Sequence, residues 1–167
     1  MLAECDAMNS HKHAVRAKSR QVGLAAICLV LGTSLTSCAA STVAVADYPV
    51  VASQQTACEL LIAGLPGHML DQGRRVVTSS TSHVEKISAV WGDPTIVLRC
   101  GEENPQVPIS TQAITVNGID WSMVPRTHGY TFVSTSLAVT VSITVPDVYE
   151  PEVNVLSEIS SSLPVRN

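Results

Sequence analysis

No apolar run in this sequence reaches the ~20 residues that a membrane-spanning helix requires: the apolar stretch at residues 22–35 stops at fourteen. The chain also lacks a G-x-S-x-G elbow, a P-loop and an H-E-x-x-H pair, the signatures of common serine hydrolases, nucleotide enzymes and metalloproteases. His68, His83 and His128 are scattered without ligand spacing, so the sequence points to no metal site and to no cofactor. Positive charge is scarce where a polyanion would need it. From residue 38 onward, six basic residues (Arg74, Arg75, Lys86, Arg99, Arg126 and Arg166) stand against twelve acids, a net of −6. That balance argues against nucleic acid or an anionic membrane surface as an electrostatic partner. Internal repeats and low-complexity blocks are absent.

What is present begins with a basic head. Residues 8–21 carry Lys12, Arg16, Lys18 and Arg20 without an acid, and the uncharged stretch follows at once. A basic head before a short apolar run is an export signal. Glu4 and Asp6 do not suit such a head, which makes Met8 the expected start of translation; His11 and His13 then belong to a soluble head. Leu35, Thr36 and Ser37 lead directly into Cys38, which resembles the lipobox of bacterial lipoproteins. The resemblance implies that residues 1–37 are removed and that Cys38 becomes the N-terminus, carrying a diacylglyceryl thioether. Each buried methylene then contributes about 0.8 kcal/mol, and two chains suffice for stable attachment. The expected location is the outer face of the cell membrane, with membrane contact made through the lipid. Residues 38–48 read as a tether and 49–167 as one extracytoplasmic domain, long enough for a single core. Cys5 and Cys28 leave with the signal and Cys38 is acylated, so Cys58 and Cys100 remain where disulfides persist.

Within the domain, "TACELLIAGLPGHML" places Cys58, Leu61, Ile62, Leu65 and Met69 on one helical face, with Gly64 and Pro66 ending or kinking the helix. "PTIVLRCG" reads as a strand with Ile96, Leu98 and Cys100 on one side and Thr95, Val97 and Arg99 on the other. A helix packed on that strand would join Cys58 to Cys100. "ITVNGIDW" predicts a hairpin turning at Asn117-Gly118, which pairs Val116 with Ile119, Ile114 with Trp121 and Thr115 with Asp120. Trp121 is then a core residue. "LAVTVSITV" alternates, with Leu137, Val139, Val141, Ile143 and Val145 inward and Ala138, Thr140, Ser142 and Thr144 on a wet face. Tyr130 to Val133 is its expected partner, and a weaker strand is expected from Val84 to Trp91, ended by the turn "GDP". A last helix opens at Pro151, with Val153, Leu156, Ile159 and Leu163 as its apolar stripe. The pattern predicts an α+β two-layer domain, a mainly antiparallel sheet with two helices packed on one face.

The candidate ligand-binding residues are Arg74, Arg75, Asp93, Arg99 and Asp120. Arg74-Arg75 suits bidentate grip of a carboxylate or phosphate, or simply solvated charge after a helix. Asp93 in "WGDP" suits a turn cap or a catalytic carboxylate. Arg99 projects from the middle of its strand, with Thr140 and Asp120 as expected neighbours, and it either binds an anionic wall component or lipid headgroup or pairs with Asp120. Two classes of function follow. One is a non-catalytic module that binds a wall component, a lipid-linked precursor or a membrane protein. The other is an envelope hydrolase or transferase using Asp93, Asp120, His128 and the arginines.

"WGDPTIVLRCG", "VNGIDW", the "LP" after "CELLIAG", the "RR" pair and the closing "TVP" together resemble the actinobacterial lipoproteins of domain of unknown function 3515. The resemblance runs from about Val50 to Leu163 and implies an exported, often lipid-anchored protein without an assigned activity. A Gly-Arg expected before the last strand is replaced here by "STSLAV".

Overall fold

The computed structural model describes residues 41–164. Cys38 and the export signal lie outside them. Nine strands dominate: β1 (Thr42–Ala44), β2 (His68–Met69), β3 (Gln72–Thr78), β4 (Ser88–Trp91), β5 (Ile96–Cys100), β6 (Gln112–Val116), β7 (Ile119–Arg126), β8 (Gly129–Ser134) and β9 (Val141–Val145). Three short α-helices, α1 (Gln55–Ala63), α2 (Ser82–Lys86) and α3 (Val153–Ser160), and two single 3-10 turns (Ala52–Gln54 and Asp147–Tyr149) complete the regular structure. The sheet runs β1-β3-β4-β5-β9-β8-β7-β6, with β2 hooked onto β3. Every pairing is antiparallel except β1 with β3.

The local chemistry accounts for most of these elements. Asn117 and Gly118 both take positive φ, 49° and 77°, as a type I′ turn demands. The resulting register sets Val116 against Ile119, Ile114 against Trp121 and Thr115 against Asp120. Ile96, Leu98 and Cys100 are fully buried on one side of β5, and Ile143 and Val141 of β9 pair with Leu98 and Cys100. α1 docks on β5 through the Cys58–Cys100 disulfide, with Cα atoms 5.5 Å apart. α3 lies against β6 and β2. Glu158 accepts the Leu70 N–H at 2.8 Å, and Asn117 Nδ2 donates to the Ser157 carbonyl at 2.9 Å.

Several expectations change. The tether does not extend to residue 48: β1 begins at Thr42, and Val45 and Tyr48 are buried. Ordered structure starts earlier because β3 offers an open edge that the segment fills. α1 stops at Ala63, where Gly64 closes the last turn onto Leu60 and Leu61, so Met69 reaches the core from β2 instead. Arg74 and Arg75 do not follow a helix in solvent; they sit inside β3. The expected strand from Val84 is α2 first and β4 only from Ser88. β9 starts at Val141, and Leu137 and Val139 pack on the core from a bend before it. In α3 the buried stripe is Val155, Leu156 and Ile159, while Val153 is 42% exposed.

Candidate functional site

Alternation along β5 turns Val97 and Arg99 away from the disulfide side. Pairing then sets Arg99 beside Ser142 and Val133, and Val97 beside Thr144 and Thr131. A wet face was expected here. Instead Ser142 and Thr131 are only 4% and 6% exposed, and Arg99 is half-buried. Part of the cover comes from the segment before α1. Tyr48 places its hydroxyl 3.1 Å from Ser88 Oγ and 3.3 Å from the carbonyls of Ile87 and Cys100. Burial pushes its pKa above the ordinary tyrosine value. Its ring centroid lies 5.4 Å from the Arg99 guanidinium carbon, a cation–π contact.

What stays open is a polar recess of about 40 Å³ between Arg99 and Arg126, lined also by Glu102 and the β8 and β9 hydroxyls. Ser142 Oγ donates to Glu102 Oε2 at 2.9 Å. Arg126 donates its Nε–H to Thr131 Oγ1 at 2.9 Å, and the Thr131 and Thr144 hydroxyls are 3.0 Å apart. The Arg99 Nε is buried and has no acceptor among the described residues. Among the described residues neither arginine has a carboxylate within 4.0 Å; the ion pair found there joins His128 and Asp147, both exposed.

The other candidates scatter. Arg74, Arg75 and Asp93 line an open depression of about 410 Å³ beside Ser41, but both guanidinium groups have internal work. Arg74 donates to the Ile62 carbonyl in the last turn of α1 and to the Leu65 carbonyl just beyond it, at 3.0 and 3.5 Å. It also lies over the Trp91 ring, and burial lowers its pKa. Arg75 donates to Ser41 Oγ at 2.9 Å and the Gly92 carbonyl at 3.0 Å. Asp93 is exposed in the β4–β5 turn. Asp120 lies at the other end of the sheet, taking the Thr115 hydroxyl at 2.6 Å, and does not pair with Arg99. Thr140 uses its backbone: its N–H reaches Gln54 Oε1 and its carbonyl accepts from Gly101. Asp93, Asp120 and His128 therefore do not form one site. Among the described residues, no three His, Cys, Asp or Glu side chains gather closely enough to hold a metal ion.

A larger recess of about 490 Å³ runs between α1 and residues 137–139, but no charged side chain lines it. Apart from two serines it presents apolar surface. Of the recess that does hold chemistry, Arg99 was legible in the sequence, and the Ser142 and Thr144 alternation placed them on its side. Arg126, Glu102 and Tyr48 had no local signal. They meet Arg99 through pairing across β8 and β9 and through the path of the N-terminal segment.

No curated protein and no solved structure matches the chain. A family model does, over residues 21–166, and the chain belongs to the family described as protein of unknown function (DUF3515).

Proposed function

We propose that this protein is an exported, lipid-anchored binding module of the actinobacterial cell envelope. Cys38 holds it at the outer face of the membrane, and it acts without catalysis by presenting the Arg99 side of its sheet to a wall component or membrane-protein partner. The observation that carries this reading is Arg99 itself. Its Nε is buried at mid-sheet without an acceptor among the described residues, next to an open recess. An unmet donor of that kind is unfavourable in an isolated domain and is relieved when a partner supplies the acceptor. We further read α1 and α3 as both covering the Cys100 side, which leaves the Arg99 side as the contact face. The basic head, uncharged run and "LTSC" at residues 35–38 support the anchor.

Two measurements test the reading. Wild type is expected in the detergent phase of a phase separation and Cys38→Ser in an unprocessed or aqueous form; wild type wholly in the aqueous phase contradicts the anchor. In cells lacking the native copy, Arg99→Ala with an unchanged melting temperature is expected to fail to complement. Full complementation removes this face from consideration.

A further inference from the structure

We propose that Arg99 and Arg126 form a seat for a single oxyanion, a carboxylate or phosphoryl group borne at the end of a larger envelope molecule. The inference rests on the Arg99 side being the contact face and supplies the chemistry of what is contacted. A guanidinium is a planar fork of five N–H donors with no acceptor, so it is completed by oxygen atoms, best by two on one group. Here two such forks line one recess, and among the described residues neither has a carboxylate within 4.0 Å. Arg126 gives its Nε–H to Thr131, which sets its position and leaves the terminal nitrogens for a ligand. Arg99 is steadied by the Tyr48 ring and gives its buried Nε–H to no acceptor among the described residues.

Size narrows the ligand. A recess of about 40 Å³ has room for about three waters, each of which needs ~10–15 Å³ of such space. One small group enters, and the body of the molecule stays outside. Charge narrows it further. Two arginines against Glu102 leave the recess positive, in a chain region that carries −6. A cation would meet both arginines, whereas an anion meets one carboxylate, and that one is held aside by Ser142 at 2.9 Å. Glu102 is therefore the acid against which the ligand competes, and it keeps the seat from being strongly cationic.

The test uses the ¹⁵N-labelled full chain in detergent micelles, titrated separately with acetate and with inorganic phosphate while the arginine Nε–H signals are followed. The Cys38→Ser chain is also incubated with phosphatidylglycerol or phosphatidylcholine vesicles. Saturable shifts of both Arg99 and Arg126, weakened about tenfold or more in Arg99→Lys and in Arg126→Lys and strengthened in Glu102→Gln, support the seat for a soluble or terminal anion. Binding confined to phosphatidylglycerol vesicles and lost in the same two variants supports a lipid headgroup. The lysine variants keep the charge and remove only the fork, so a loss reports geometry and not general electrostatics. No saturable binding in any arm, or binding that survives both substitutions, overturns the proposal. If anions fail to bind while Arg99→Ala still abolishes complementation, the contact face stands and the oxyanion is wrong. If anions bind while Arg99→Ala complements fully, the contact-face reading is what falls.

Discussion

Asp47 shows how one side chain can hold a segment that composition alone leaves loose. Its carboxylate accepts hydroxyl hydrogen bonds from Ser79 at 2.5 Å, from Thr81 at 2.7 Å and from Ser80. Those bonds, Ser79's first, lower its pKa from 3.8 to about 2. A group whose folded pKa is depressed stabilises the fold above its unfolded value and loses that contribution as pH falls through the folded one. Asp47→Asn is therefore expected to melt below wild type at neutral pH, with the gap closing as pH falls from 3.8 to about 2. Because Asp47 is solvent-exposed, the gap should be small and reduced by salt. Thermal melts of both proteins across that range check this; a gap independent of pH contradicts it. Arg74 and Arg99 make the complementary point, since the residue type is shared and the roles differ. Arg74 finds two carbonyls in and just beyond the last turn of α1, whereas Arg99 finds an aromatic ring and a polar recess.

Among the elements, the tie between α1 and β5 matters most. Cys58 and Cys100 are 42 positions apart, and closing a loop of that length restricts the unfolded chain by about 4 kcal/mol in the chain-entropy description. That is a large share of the ~5–15 kcal/mol that holds a domain together. The Cys58→Ala/Cys100→Ala double variant should lose stability of that order in urea unfolding, with a steeper denaturant dependence because its unfolded chain expands. Equal stability, or two titratable thiols in the unreduced wild type, contradicts the bridge. This tie was legible because both cysteines fall on apolar faces at strand and helix spacing. The β6–β7 hairpin was legible for a similar reason: Asn117-Gly118 fixes the turn within four residues, and the pairing follows. β3 was not. "QGRRVVT" places two charges where alternation should show, and it becomes a strand through β1 and β4, which lie farther away along the chain, with β2 folding back on its first residues. The recess followed the same rule. Its polar strip lies on strands with visible alternation, but Arg126 and Glu102 arrive from a hairpin end and a loop. Ser142 is tied to Glu102 of that loop and Thr131 to Arg126, contacts that no local period reports.

For the molecule as a whole, the ends of the sheet decide how it behaves among its neighbours. β1 pairs with Val76, Val77 and Thr78 and so closes the outer edge of β3, which would otherwise offer unpaired N–H and C=O groups to another chain. A chain shortened to begin at Val45 is expected to self-associate more than the Cys38→Ser parent in sedimentation velocity. Equal sedimentation of the two would show that the edge needs no cover. On the proposed Cys38 anchor, the same strand would set the length of the leash. A tether from 38 to 48 would give the domain a reach of about 35–40 Å at ~3.3–3.6 Å per residue. With Ser41 already bonded to Arg75, and Thr42 in the sheet, only Ala39 and Ala40 separate an acylated Cys38 from the fold, a span of at most about 11 Å from Cys38 to Ser41. Under the proposed anchor, a domain held that closely would meet envelope components at the membrane surface and not by swinging outward. It would patrol a thin layer just above the bilayer by lateral diffusion, with its β1 edge turned toward the lipid.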